Sequence, residues 1–143
     1  MDFLEIQSEF REAFVHNRGL AQQSPERFRF IEANYTSLLE PSYHGTYDLI
    51  VSNPPYFYPG EGRLSPSELQ NRCRFFIDSD LKTLLRGVAN ALKEDGVGLI
   101  LVKSGERHGR NALRDAMLSL AGSASATQVA DIRGTSVIEL KRI

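Results

Sequence analysis

The sequence has little of what secreted, zinc-binding and membrane proteins need. Its 143 residues include one cysteine, Cys73, so an internal disulfide cannot form and no cysteine pair can hold a structural zinc ion. The longest apolar run, residues 97–102, is far shorter than the roughly 20 residues of a membrane helix. No basic stretch followed by an apolar one begins the chain, so no signal peptide is indicated. These absences predict a cytoplasmic protein that does not enter a membrane.

The composition is that of one soluble globular domain spanning residues 1–143. Hydrophobic residues make up 41% and charged residues 24% of the chain. Charge is unevenly distributed, because residues 1–62 carry 4 basic and 9 acidic side chains whereas residues 63–143 carry 13 and 9. The basic residues that gather in the second part are Arg63, Arg72, Arg74, Arg86, Lys103, Arg107, Arg110 and Arg114. They form either a nucleic-acid-binding surface or ordinary solvated helix faces.

The hydrophobic pattern predicts alternating strands and helices. Strands are expected at residues 3–6, 28–32, 47–52 and 97–102, and the third of these is apolar enough to be buried on both faces. A first helix is expected to begin at an N-cap on Ser8 and to break at Gly19. Residues 126–132 and 136–143 flank a short turn and predict a terminal antiparallel hairpin.

Two further helices and a long loop complete the expected order. Apolar residues recur at helical spacing over residues 81–92, and a left-handed cap at Asp95-Gly96 is expected to end that helix. Residues 112–120 predict the last helix, and the two prolines after Ser52 predict that a long loop leaves the sheet there. Strands that alternate with helices and end in a hairpin are typical of a doubly wound, Rossmann-like α/β sheet. Such sheets bind ligands at the carboxyl ends of their strands, here after Ile6, Glu32, Ser52 and Val102.

Asn53-Pro54-Pro55-Tyr56 follows the third strand directly. A chance match to these four letters in a chain of this length is expected about once in a thousand sequences, and the alternative interpretation is a turn that merely ends the strand. The motif resembles that of the class I S-adenosylmethionine-dependent methyltransferases, which modify planar amino nitrogens. The resemblance implies that Asn53 and Pro54 accept the N–H bonds of the acceptor amine, that Pro54 and Pro55 fix the backbone, and that Tyr56 stacks on the acceptor base.

A longer segment, residues 47–57 with Pro59 to Arg63 and Ser65, is similar to the bacterial methyltransferases that modify adenine N6 in the anticodon loop of a valine tRNA. Those enzymes commonly carry Ala-Arg-x-Glu on the following helix, where this chain has Cys73-Arg74-Phe75-Phe76. The arginine is kept and Phe76 replaces the acid. The resemblance implies substrate contacts from Phe57, Arg63, Arg74 and Arg107. The side chains of Phe75 and Phe76 are expected to pack in the core.

The same resemblance implies S-adenosylmethionine as cofactor and no metal. Glu5 matches the acid that binds the cofactor ribose, and its alternative interpretation is a solvated acid at a strand end. Asn34 takes the place of an aspartate that accepts from the cofactor adenine, Tyr35 either covers the adenine or simply packs, and Asn53 contacts cofactor and acceptor alike. The three histidines show no metal-ligand spacing and are expected at the surface or in loops.

The family's glycine-rich cofactor turn and its preceding central strand have no counterpart in the sequence. The resemblance therefore covers the later two thirds of the family domain and leaves the strands at 3–6 and 47–52 with exposed inner edges. We expect these edges to pair directly, or to be completed by a second copy or a missing N-terminal segment.

The resemblance implies methyl transfer to an exocyclic amino nitrogen, with adenine N6 in tRNA as the expected acceptor. Two alternatives stay open. One is methylation of a glutamine amide in a release factor, a protein substrate. The other is a non-catalytic methyltransferase fragment or interaction module.

Overall fold

The computed structural model describes residues 1–103 and 111–143, except for the side chain of Ala112. Strands and helices alternate in the first part and a hairpin closes the second. In chain order the elements are β1 (Asp2–Glu5), α1 (Phe10–Leu20), β2 (Arg29–Glu32), β3 (Tyr47–Ser52), α2 (Glu68–Arg74), α3 (Leu81–Ala91), β4 (Leu92–Lys103), α4 (Ala112–Leu118), β5 (Ala124–Asp131) and β6 (Thr135–Arg142). Two short 3₁₀ helices, Tyr35–Leu39 and Pro41–Tyr43, lie between β2 and β3.

The strands form two separate sheets. β1 and β2 make a parallel pair, and the second sheet has the order β3-β4-β6-β5. β3 and β4 are parallel, whereas β6 is antiparallel to both of its neighbours, which confirms the predicted α/β class and the hairpin. Of the alternatives expected for the first and third strands, direct pairing does not form, since β1 pairs only with β2 and β3 only with β4 among the described residues. The doubly wound sheet is therefore split between β1 and β3.

The hydrophobic core lies on one face of the sheets, which we call the α3 face. α3 begins where Asp80 accepts a hydrogen bond from the backbone N–H of Thr83 (2.6 Å), and its apolar stripe packs on the larger sheet. Ile100 of β4 and Ile138 of β6 are fully buried beneath it. Leu4 of β1 and Ile50 of β3 pack against the same cluster, so this face is continuous across the gap.

The opposite face, which we call the α1 face, is only partly covered. Phe14 of α1 packs against Phe3 of β1 and Phe30 of β2, with ring centroids 4.8 and 5.6 Å apart. Over β3 the same face is open, and Leu49 and Val51 are 58% and 65% exposed. The expectation that this strand is buried on both faces is therefore wrong, because no described element packs over the α1 side of β3.

Two local predictions about helix ends also fail. Glu9, not Ser8, occupies the N-cap of α1 and makes no side-chain capping bond, whereas the helix ends at Leu20, one residue after the predicted break at Gly19. α3 ends at Ala91 and β4 begins at once, so Asp95-Gly96 is no helix cap. Gly96 is required for a different reason, since a Cβ there would lie 2.8 Å from the carbonyl oxygen of Tyr47.

Candidate active site

A cavity of about 780 Å³ occupies the gap between β1 and β3 and extends to the carboxyl ends of β1, β2 and β3. Glu5, Asn34 and Asn53, together with Pro54 and Pro55, line it. The structure thus brings the residues predicted for the cofactor and those predicted for the acceptor into one cavity of a size common for ligand sites. These residues come together because each lies at the carboxyl end of a different strand. Glu5 ends β1, Asn34 follows β2 and Asn53 follows β3.

The Asn-Pro-Pro-Tyr segment leaves β3 in a fixed conformation. Pro54 is buried, whereas Asn53 is exposed at the mouth of the cavity. The hydroxyl of Tyr56 donates a hydrogen bond to Oδ1 of Asn53 at 2.6 Å. Because an amide oxygen accepts two hydrogen bonds, Oδ1 retains one acceptor position for a further N–H group.

The end of α2 holds this segment in place. The backbone N–H groups of Tyr56 and Phe57 both donate to the carbonyl oxygen of Arg74, at 3.2 and 3.1 Å. In return, the backbone N–H of Phe76 donates to the carbonyl oxygen of Phe57 at 2.7 Å. The guanidinium of Arg74 is exposed and lies 5.6 Å from the ring centroid of Phe75. Phe75 and Phe76 are 1% and 7% exposed, which confirms their prediction as core residues.

A tight turn follows the motif. Pro59 and Gly60 occupy its two central positions, Gly60 has φ of +94°, and Glu61 N–H donates to the carbonyl oxygen of Tyr58 at 3.0 Å. The carboxylate of Glu61 accepts from the N–H of Tyr58 at 2.7 Å, which closes the turn from the other side. Burial raises the pKa of Tyr58, whose ring stacks on Phe76 with centroids 5.1 Å apart.

Sequence reasoning missed two buried polar residues that support the site. Asn71 of α2 is 8% exposed, and its side chain accepts from the N–H of Ser65 and donates to the carbonyl of Ser65, both at 2.8 Å. Gln7 is 4% exposed, and its side-chain amide donates to Sγ of Cys73 at 3.5 Å. An amide residue within a predicted loop gives no periodic pattern, so only the fold identifies these contacts.

Glu5 and Asn34, both expected to bind cofactor, use different shares of their hydrogen-bonding capacity within the described structure. One carboxylate oxygen of Glu5 accepts from the N–H of Gln7 at 2.8 Å, and its other oxygen makes no hydrogen bond within residues 1–103 and 111–143. Asn34 is the N-cap of the first 3₁₀ helix, since its Oδ1 accepts from Thr36 N–H at 2.9 Å. Its Nδ2 donates to the carbonyl of Asp78 at 3.4 Å. Asn34 therefore has one acceptor position left, as Asn53 does.

Tyr35, beside Asn34, both lines the cavity and packs against the core. Its hydroxyl donates to the carbonyl oxygen of Asp80 at 3.4 Å. Burial raises the pKa of Tyr35 to about 12, so the phenol is neutral at physiological pH. The two interpretations of this aromatic residue, adenine cover and packing, are compatible in this position.

The other end of the gap, at the starts of the strands, is bridged by side chains. Arg29 of β2 donates two hydrogen bonds to the carboxylate of Asp2, at 2.8 and 2.7 Å. The hydroxyl of Tyr47, at the start of β3, donates to the same carboxylate at 2.8 Å. This bond joins β1 to β3 across a gap where their backbones do not pair.

Tyr56 of the motif and the further residues expected to contact substrate are not part of the cavity lining. Tyr56 and Phe57 are half-buried beside its mouth, whereas Arg63 and Arg74 are exposed. Arg107 lies outside the described residues. Within the described ranges no three His, Cys, Asp or Glu side chains are grouped as metal ligands, and no helix is long and apolar enough to cross a membrane.

Among solved structures, the chain is similar to three proteins with TM-scores of 0.63 each. One is a protein from Corynebacterium glutamicum, 16% identical over 99% of this chain and 60% of its own. Another is ribosomal protein L11 methylase from Lactobacillus delbrueckii subsp. bulgaricus, 16% identical over 99% and 56%. The third is an rRNA methylase from Streptococcus thermophilus, 10% identical over 99% and 74%.

No protein-family model and no curated protein matches the sequence. At 10–16% identity the structural likeness shows the fold alone, which is Rossmann-like. The chain spans 60% of the length of the Corynebacterium protein and 56% of the L11 methylase.

Proposed function

We propose that this chain carries the acceptor site and part of the cofactor site of an S-adenosylmethionine-dependent N-methyltransferase, with adenine N6 of a tRNA as acceptor. The observation that carries the proposal is that Glu5, Asn34 and the Asn53-Pro54-Pro55 segment line one cavity at the carboxyl ends of three strands. The fold that the chain shares with two methylases supports it. The cytoplasm is the compartment expected for such an enzyme.

The acceptor end of the cavity suits a planar amine. Asn53 Oδ1 is held by the Tyr56 hydroxyl and offers its second acceptor position to an N–H bond. Acceptors fixed before the amine arrives align its nitrogen and stabilise the positive charge that develops on it. The buried Pro54 and the two backbone bonds to the Arg74 carbonyl oxygen keep these groups fixed.

The cofactor end offers three matching groups. The free oxygen of Glu5 is suited to ribose hydroxyl donors, Asn34 Oδ1 to the adenine amino group, and the ring of Tyr35 to the adenine face. When bound, S-adenosylmethionine supplies a methyl group activated on a sulfonium sulfur. No glycine-rich turn lies in the described residues to approach the methionine part, so we expect residues 1–143 alone to bind the cofactor weakly or not at all.

RNA is favoured over a protein substrate by charge and by aromatic rings near the motif. Arg63 and Arg74 are exposed on the loop and helix that follow Asn53, and Tyr56 beside it offers a ring for stacking. The rival acceptor, a glutamine amide, would use the same hydrogen bonds to Asn53. A non-catalytic module would retain this acceptor site without methyl transfer.

The test is methyl transfer from tritiated S-adenosylmethionine, at millimolar concentration, to an unmodified tRNA transcript and to a glutamine-containing release-factor domain. We expect label in N6-methyladenosine after nuclease digestion of the tRNA. Asn53→Ala should lower turnover about 100-fold or more, because one preorganised polar contact in the transition state is worth that much. The matched control is Asn17→Ala, which removes an exposed amide from α1 away from the cavity.

A second measurement separates a fragment with a weak cofactor site from a wrong assignment. A 2-aminopurine placed at the target position of an anticodon stem-loop should lose fluorescence as it stacks, and Tyr56→Ala should restore it. Label in the release factor would favour the amide acceptor. Unchanged turnover in Asn53→Ala, or no label and no quenching in any substrate, would refute the proposal.

A further inference from the structure

We propose that Asp78 selects a 6-aminopurine at the cofactor end of the cavity. Its carboxylate accepts a hydrogen bond from the exocyclic amino group, and Ile77 packs against the purine ring. Both residues lie on the connector between α2 and α3, residues 75–80, and neither belongs to the Asn-Pro-Pro-Tyr motif. The ligand is the adenosine part of the cofactor, so the inference rests on the cofactor half of the proposed function.

Two hydrogen bonds place this connector against the segment that follows β2. Asn34 Nδ2 donates to the carbonyl oxygen of Asp78, and the Tyr35 hydroxyl donates to the carbonyl oxygen of Asp80, both at 3.4 Å. Asn34 and Tyr35 line the cavity, as Ile77 and Asp78 do. The connector and the residues expected to bind adenine therefore meet at the same end of the cavity.

The carboxylate of Asp78 has an oxygen available for a ligand. The side chain is 26% exposed, and its Oδ2 lies 3.5 Å from Nε of Arg72. Oδ1 makes no hydrogen bond or ion pair with the part of the chain that the structure describes. Because a carboxylate oxygen accepts up to two hydrogen bonds, Oδ1 can accept from an N–H donor in the cavity.

A 6-amino group matches the acceptors at this end of the cavity. The group carries two N–H bonds, one for the remaining acceptor position of Asn34 Oδ1 and one for Asp78 Oδ1. Asn34 is neutral, whereas a hydrogen bond to a charged acceptor is roughly twice as strong as a neutral one. Hypoxanthine has a carbonyl oxygen in place of the amino group, and a carboxylate repels it. Asp78 therefore distinguishes adenosine from inosine more strongly than Asn34 does.

Ile77 supplies an apolar surface beside this carboxylate. It is 48% exposed and lines the cavity, although the two preceding residues, Phe75 and Phe76, are 1% and 7% exposed. A purine ring that covers Ile77 removes apolar surface from water, whatever group the ring carries at position 6. Ile77 thus contributes to affinity and Asp78 to selectivity.

The alternative role for Asp78 is an ion pair with Arg72 that supports the connector. Their side chains are 26% and 40% exposed and their nearest charged atoms are 3.5 Å apart, so this pair contributes little to stability. A purely structural role would also have a different consequence. Loss of the pair would change the unfolding of the chain and leave the preference between two purines unchanged.

The test is titration of ¹⁵N-labelled residues 1–143 with millimolar adenosine and inosine, followed by amide chemical shifts. Neither nucleoside carries the methionine part, so the missing glycine-rich turn does not limit their binding. We expect adenosine to shift the amides of residues 33–36 and 76–80 and to bind about tenfold more tightly than inosine. Asn53→Ala, titrated in parallel, should keep these shifts, because it removes adenine binding at the acceptor end only.

Matched variants assign the two roles. Asp78→Asn should lower the preference for adenosine about tenfold, because an amide accepts from the amino group or donates to the inosine carbonyl. Its control is Asp80→Asn on the same connector, which lies outside the cavity lining and keeps the N-cap of α3. Ile77→Ala should weaken both nucleosides about fivefold, whereas Ile132→Ala, at a comparably exposed isoleucine in the β5–β6 turn, should weaken neither.

An unchanged preference in Asp78→Asn would overturn the inference, as would shifts that avoid residues 33–36 and 76–80 or no shift with either nucleoside. Failure of the proposed function looks different. Adenosine binding that depends on Asp78, without methyl transfer or 2-aminopurine quenching, would refute the proposed function and support this inference. Quenching that depends on Tyr56, without a preference for adenosine, would support the acceptor site and overturn the role of Asp78.

Discussion

Tyr47→Phe tests the side-chain bridge that joins the two sheets. The hydroxyl that this change removes donates to the carboxylate of Asp2 at 2.8 Å, while the aromatic ring and its packing against Tyr43 are kept. The Asp2 carboxylate is 9% exposed and keeps its two bonds from Arg29 in the variant, so the change removes one bond without leaving a bare charge. A hydrogen bond to a charged group contributes about 1.5 to 3 kcal/mol. Because Arg29 competes for the same oxygen and is mostly exposed, we expect a loss of about 1 to 1.5 kcal/mol.

Urea unfolding measures this loss, with a midpoint lower by about 0.5 M if the slope is about 2 to 3 kcal/mol per M. The same change made in an Asp2→Asn background should cost less than about half as much, since the charged acceptor is then absent. An equal cost in both backgrounds would refute the bridge and assign the effect to the ring. A change in the slope with no change in midpoint would contradict it as well.

The stability of the fold should fall at both ends of the pH scale, through two different groups. The Arg29 guanidinium, with a smaller contribution from Tyr47, holds the pKa of Asp2 below its ordinary 3.8, so this stability is present above about pH 4 and is lost as the pH falls through the lower folded value. Burial, then the bond to Asp2, raises the pKa of Tyr47 from 10.0 to about 12. That contribution is present below pH 10 and is lost between pH 10 and 12. Tyr35 titrates in the same window, so Tyr47→Phe should reduce the alkaline loss without abolishing it.

Five further substitutions test the loop after the motif, the packing of the larger sheet and the proposed RNA-binding surface. Asn71→Ala removes both hydrogen bonds to the backbone of Ser65 and should cost about 2 kcal/mol of stability. It should also accelerate tryptic cleavage after Arg63, as followed by mass spectrometry. Gly98→Ala places a Cβ 2.9 Å from a valine methyl and should cost about 1 to 3 kcal/mol in thermal unfolding, whereas Gly19→Ala has open space within a helix and should stabilise by about 0.5 kcal/mol. Arg63→Glu and Arg74→Glu should each reduce the logarithmic salt dependence of tRNA binding by about 1.

Each of these has an outcome that contradicts it. Unchanged cleavage in Asn71→Ala would mean that the loop is held by other contacts. Equal stability of the two alanine variants would show that the sheet relaxes around Gly98. A flat salt titration would favour a protein substrate over RNA.

Local patterns were sufficient for most of the fold. Apart from α2, which lies in a segment predicted as a loop, the strand and helix order follows from periodicity. The hairpin follows from its turn, where Arg133 and Gly134 both have positive φ. The failed prediction for β3 has a physical cause. Residues 47–52 have the composition of a strand buried on both faces, but burial of a strand depends on which elements pack over it, and none in the described structure packs over Leu49 and Val51.

Only some residues of the candidate site could be predicted from the sequence. The positions of Glu5 at the end of β1 and Asn53 just after β3 could be predicted, and strand ends converge in this fold. Asn71 and Gln7 could not, since their partners, Ser65 and Cys73, are set by where α2 lies. Asn34 was predicted as a ligand, and its additional role as a helix N-cap depends on a 3₁₀ helix that no periodicity indicates.

The position of α2 determines how the two halves of the site are related. β1 and β3 do not share a ladder, so the sheet does not fix Glu5 relative to Asn53. A chain of polar contacts does so instead: Gln7 donates to Glu5 with its backbone and to Cys73 with its side chain, and the carbonyl of the next residue, Arg74, holds the motif. The sulfur contact in this chain is long and weak. The relative position of the acceptor and cofactor residues therefore depends on where α2 lies, and any change that shifts α2 should move Asn53 relative to Glu5.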